Sequence, residues 1–123
     1  MTNVEAGTLV RILNGCKVHT VSSDLFMPII EMITKLNEID KASLEMKKSV
    51  IEKLGMDVDA MGNVSTTDAD KATLFNKSIK EIHDKKVKID LVTLNNDQFK
   101  KLADENKDLI AGDLAFLHSF LCK

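Results

Sequence analysis

A chain of 123 residues with 44% hydrophobic content is long enough for one domain with a core of its own and short for two. Its 17 basic and 19 acidic residues are interspersed and nearly cancel, and Trp and Tyr are absent. That balance argues against generic nucleic-acid binding, which needs a basic surface to displace counterions and aromatic platforms for stacking.

The opening MTNVEAGTLVRI has no basic region followed by a long apolar run, and no stretch reaches bilayer-spanning length. Neither a leader nor a membrane anchor is expected. Cys16 and Cys122 are too few and too far apart to announce a disulfide framework, so reduced thiols, as in a cytoplasm, are the expectation.

Residues 1–7 read as a lead-in. LVRIL-NG-CKVHTV then carries an Asn14-Gly15 pair between two β-prone runs, the favoured two-residue hairpin turn. That turn pairs Leu13 with Cys16, Arg11 with Val18 and Leu9 with Thr20. Leu9, Leu13, Cys16 and Val18 would face the helices. Val10, Ile12 and Val21, with Lys17 and His19, would form an outer, half-apolar face open to a partner.

The longest helical signal runs from about residue 24 to 54. Ile29, Met32, Leu36, Ile39, Met46, Val50 and Leu54 keep to one stripe, and Ser43 sits where that stripe would carry another large side chain. Ser22, Ser23 and Asp24 are candidate N-caps, Pro28 suits the first turn, and Gly55 is the natural stop. The weakly helical Asn37–Ser43 segment is a place for a kink. A second helix is predicted over about 68–83, antiparallel to the first, with Ala72, Phe75, Ile79 and Ile82 as its buried stripe. KVKIDL (86–91) alternates Val87, Ile89 and Leu91 with charged residues and reads as a third strand beside the hairpin. Asn95 with Gln98 resembles a capping arrangement for a short helix from Asn96 to about Glu105, burying Phe99 and Leu102. A last helix from near Asp113 is apolar almost all round, and exposes or buries Phe116, Phe120 and Leu121 according to whether a partner is present. The predicted class is therefore α+β, a single domain: a hairpin and third strand on a helix pair, with short C-terminal helices.

One segment has the form of a metal loop. Asp57 to Asp68 resembles the twelve-residue calcium loop of the EF-hand family, which implies oxygen ligands from Asp57, Asp59, the Asn63 carbonyl, Ser65 through water, and Asp68, with Gly62 at the sharp bend. Met61 offers no oxygen at the fifth position, Asp68 is shorter than the usual glutamate, and no second loop pairs with it. An acidic turn whose Thr66, Thr67 or Asp68 caps the next helix is the competing reading, and it is favoured. No other cofactor is indicated. His19, His83 and His118 lie far apart without zinc spacing. Asp113, His118 and Ser119 share two turns of one helix and cannot orient one another as a triad. A cysteine beside a turn, such as Cys16, is more often a core residue than a reactive thiol. The expectation is a non-enzyme.

In layout the chain resembles small uncharacterised proteins of phage and prophage genomes. The features are a helix over Phe26 to Leu54, an acidic turn over Asp59 to Asn63, a second helix with Phe75-Asn76-Lys77, then Val87-Lys88-Ile89-Asp90 and an apolar tail helix. The resemblance implies a phage or mobile-element accessory protein, cytoplasmic in the host cell or virion-associated, that works through contacts in virion assembly or interference with host defence. A protein partner or self-association is expected, with Phe116, Phe120, Leu121, Val10 and Ile12 as the contact surface. The alternative is a single-loop calcium-binding protein.

Overall fold

In the computed structural model, which describes residues 1–19 and 21–122, the chain forms five helices and one two-stranded antiparallel ribbon, α+β in the broad sense. The N-terminal hairpin is not formed. Its first run belongs to helix α1 (Asn3–Asn14). Thr2 caps that helix: the Glu5 amide donates to its hydroxyl at 3.2 Å, and the Thr2 amide donates back to the Glu5 carboxylate at 2.9 Å. Gly15 then ends it with φ −88°, well outside the left-handed region that the hairpin turn demands. Of the expected pairs, Leu9 with Thr20 falls on a residue outside those described. The physical reason for the helix is burial. A strand sends Leu9 and Val10 to opposite faces, whereas a helix puts Ala6, Leu9, Val10 and Leu13 on one side, and all four are buried. Covering each of the larger three stabilises by roughly 1.5–3 kcal/mol, more than a ribbon with a wet outer face could recover.

Helix α2 (Phe26–Leu54) is continuous across Asn37–Ser43. Its cap position is Leu25 without a side-chain cap, so Ser22, Ser23 and Asp24 do not serve, while Pro28 does fall in the first turn. Gly55 ends it with φ +61°, its amide donating to the Glu52 carbonyl and that of Met56 to the Ile51 carbonyl. Against α2 packs α1, and the two come close at Gly7, where an added Cβ would lie 2.7 Å from an Asp40 carboxylate oxygen.

Strands β1 (Asp57–Val58) and β2 (Val64–Ser65) pair with Asp57 opposite Ser65, and helix α3 (Ala69–Asp84) returns alongside α2. Asp68 caps α3, its carboxylate accepting from the Asp70 amide at 2.9 Å and the Lys71 amide at 3.2 Å. Residues 86–91 form no strand. Val87, Ile89 and Leu91 do turn inward while Lys86, Lys88 and Asp90 face water, but with α1 in place of a hairpin this segment has no sheet to join. It is tied instead by a single bridge of Lys86 to Thr2 and by the Val87 amide donating to the Met1 carbonyl.

Helix α4 (Asn96–Glu105) begins with the expected reciprocal cap between Asn95 and Gln98, and α5 (Ala111–Leu121) closes the chain. The core lies at one end of α2, where Ile29, Met32 and Leu36 meet Leu9 and Leu13 of α1, Leu94, Leu102 of α4, and Leu117 and Leu121 of α5. Two buried asparagines hold its periphery. Asn106 accepts from the Lys17 amide (2.7 Å) and donates to the carbonyls of Lys17 (2.9 Å) and Leu102 (2.8 Å). Asn3 donates its side chain to the Ile82 carbonyl and its backbone amide to the Lys85 carbonyl, both at 2.9 Å, so the start of α1 secures the end of α3.

Candidate interaction surface

Beyond Ser43, α2 leaves the core. Its last eleven residues, the ribbon and most of α3 form an arm about 16 Å long on the helix rise. Between Leu44 and Glu81, among the described residues, no side chain is fully buried. Met46, Val50 and Leu54 of α2 and Phe75 and Ile79 of α3 are half-covered, while Leu44, Val58, Leu74 and Met61 are exposed, Met61 at 89%. Two helices alone are one layer, and a layer buries its stripe fully only against another. An open groove runs along one side, with Ala42, Met46, Ser49 and Val50 on the α2 wall and Ser78 and Ile82 on the α3 wall. Its rim carries both signs, Glu45 and Glu81 against Lys53 and Lys85.

The tip of the arm is built by Asp59. Its Oδ1 accepts from the amides of Met61 (2.9 Å) and Asn63 (2.8 Å), and its Oδ2 from the Asn63 side chain (3.0 Å). The Asp59 amide donates to the Asn63 carbonyl, and the Gly62 amide to the Asp59 carbonyl. Gly62 sits at φ +84°, where a three-residue hairpin loop requires a left-handed residue. These bonds to the charged carboxylate, the Asn63 backbone and side-chain amides foremost, hold its pKa below the ordinary value.

Of the five residues of the calcium-loop reading, Asp57, Asp59, Asn63 and Ser65 lie in one hairpin and Asp68 beyond it, all with other occupations. Asp59 closes the turn, the Asn63 carbonyl accepts the Asp59 amide, Asp57 and Ser65 face each other in the ribbon, and Asp68 caps α3. Among the described residues, no three His, Cys, Asp or Glu side chains are gathered to hold a metal ion. A cation here would have to displace hydrogen bonds already made.

No family model, curated protein or solved structure matches this chain.

The contact surface expected from sequence is corrected in part. Val10 (1% exposed) and Leu121 (2%) lie inside the core, because Val10 moves from a strand's outer face to a helix's inner one and Leu121 packs under Leu94. The Leu94 amide donates to the Leu121 carbonyl at 2.6 Å. Ile12, Phe116 and Phe120 are half-buried against the same core, the two rings tilted together with centroids 4.9 Å apart. The apolar tail helix found its cover within the chain. His118 stays exposed with its ring edge-on to Phe99 (5.2 Å), and Ser119 donates to the Phe116 carbonyl of its own helix. Cys16 and Cys122 are free and half-buried, and burial raises both thiol pKa values. No described helix is long and apolar enough to cross a membrane.

The arm was missed because its stripes read as core. Its signal lay in the small side chains: Ala42, Ser49 and Ser78 stand on the groove side of the two helices, where a fully enclosed seam would carry leucine or isoleucine.

Proposed function

We propose that this chain acts by binding protein and not by catalysis, and that the α2–α3 arm is the part that binds. One observation carries the reading: a two-helix layer extends past the core with its apolar seam half-covered and with Leu74 and Met61 exposed on its side and tip. The tip is preorganised by the Asp59 bonds, which lowers the ordering cost of offering Met61 to a partner. The resemblance of the layout to phage and prophage proteins is what supports the setting, an accessory role in virion assembly or interference with host defence. In support of that setting stand the long helix over Phe26–Leu54, the Asp59–Asn63 turn and the helix containing Phe75-Asn76-Lys77; the strand over Val87–Asp90 does not stand with them.

The test is affinity capture from the source cell with the parent chain and with a Met61→Asp, Leu74→Asp double variant. Both positions are exposed, so circular dichroism should be unchanged. Retention of a protein by the parent and its loss from the variant is the expected result. Equal recovery on both of a protein other than the chain itself, or none on either together with a monomer in solution, sinks the reading.

A further inference from the structure

We propose that the groove of the arm is covered by a second copy of this chain, the two arms lying face to face with α2 antiparallel to its counterpart and crossing at Ser49. This rests on the arm being the binding surface, and it names the partner.

Charge is the argument. The groove's rim holds two carboxylates and two ammonium groups, Glu45, Glu81, Lys53 and Lys85, so neither a strongly acidic nor a strongly basic partner suits it. A surface with the same balanced pattern does. On the groove side of α2, Glu45 and Lys53 stand four residues before and four after Ser49, about 6 Å along the axis in each direction. A two-fold axis through Ser49, perpendicular to the helix, brings each Glu45 level with Lys53 of the second copy. Both pairs form at once, as an isologous contact requires. The other face-to-face arrangement, with the axis along the helices, sets α2 against α3 and does not bring Glu45 to Lys53.

Size and shape agree with the crossing. Ser49 is small where the helices would cross, which lets the axes approach to about 8–10 Å. Met46 and Val50 then gain cover from the second copy, and two half-seamed layers become a four-helix bundle.

Analytical ultracentrifugation from micromolar to submillimolar concentration provides the first readout, and a dimer is expected. Glu45→Lys or Lys53→Glu alone sets like charges opposite each other twice per dimer and should weaken association about tenfold at low salt. The double exchange restores the pairs and should return the affinity close to that of the parent. A Ser49→Cys variant should form a disulfide-linked dimer on mild oxidation, because the axis places the two thiols together; Leu44→Cys, on another side of α2, should not.

A monomer at every concentration overturns the proposal, as does a dimer indifferent to the single exchanges or unrestored by the double one. A monomer that still captures a different protein through Met61 and Leu74 leaves the binding reading standing while this one falls.

Discussion

Ile29, Met32 and Leu36, in the first half of α2, are buried by α1, α4 and α5, whereas Met46, Val50 and Leu54, of the same chemical kind at the same spacing, stay half-covered in the second half. One helix carries one stripe to two fates. The difference teaches that periodicity says where a helix is prepared to be covered and nothing about what covers it. At the core end the chain supplies three helices and the 87–94 segment. Along the arm it supplies one helix and a short ribbon. The small residues Ser49 and Ser78 mark the change, since a helix enclosed on several sides needs volume at those positions.

The most direct way to break this comparison is to truncate matched leucines. Leu36→Ala, at a fully buried position, is expected to cost about 2–5 kcal/mol in urea unfolding. Leu54→Ala, on the arm, is expected to cost no more than about half of that, since much of its surface is already wet. Equal losses would mean that the arm is as well packed as the core. A smaller effect is expected from Asn106→Ala, which strips partners from the Lys17 amide and from two carbonyls. About 1–3 kcal/mol should be lost, with faster hydrogen exchange at Lys17. Should melting be unaffected, the buried polar contact is not holding the core's edge.

The arm's own tip sharpens the contrast. Gly62 stands at φ +84° with nothing near enough to clash with a side chain, so Gly62→Ala introduces backbone strain alone. About 1 kcal/mol is expected, seen as faster amide exchange at the tip with the core amides unchanged. The least effect should come from acid. Because the folded pKa of Asp59 is depressed, its ionised form favours the folded tip above the ordinary carboxylate value near about 4, and that contribution is lost as pH falls through the lowered value. Exchange of the Met61 and Asn63 amides, corrected for the intrinsic rate, should therefore rise in strong acid. In Asp59→Asn it should not respond to pH in this way.

Much of the fold was legible where signals agreed with one another. Gly55 as a stop, Asn95 with Gln98 as a cap, Asp68 as a candidate cap and the inward alternation of Val87, Ile89 and Leu91 all stand in the structure. The N-terminal hairpin failed for an identifiable reason. Asn14-Gly15 fits a tight turn and a helix stop equally, and the tie is broken by Thr2 and Glu5, a reciprocal cap three residues apart, together with Ala6, which extends Leu9, Val10 and Leu13 into a helical stripe. Once that segment is helical, Val87 to Leu91 loses its neighbouring strand, so one misreading produced the other. The 57–68 segment does join two helices, but its ribbon was hidden because each strand is only two residues long. The contact surface was the least legible part. Val10 and Leu121 are apolar enough to bind a partner, yet whether the chain itself uses them depends on neighbours distant in sequence.

The bond from the Asn3 side chain to the Ile82 carbonyl joins positions 79 apart. During synthesis, at about 5–20 residues per second, α1 must wait several seconds or more before the far half of that bond leaves the ribosome. In that interval its buried stripe of Ala6, Leu9, Val10 and Leu13 can shelter only on nascent α2, the next helix to emerge. The order of translation thus favours an α1–α2 pair as the first folded intermediate, with α3 locked down late.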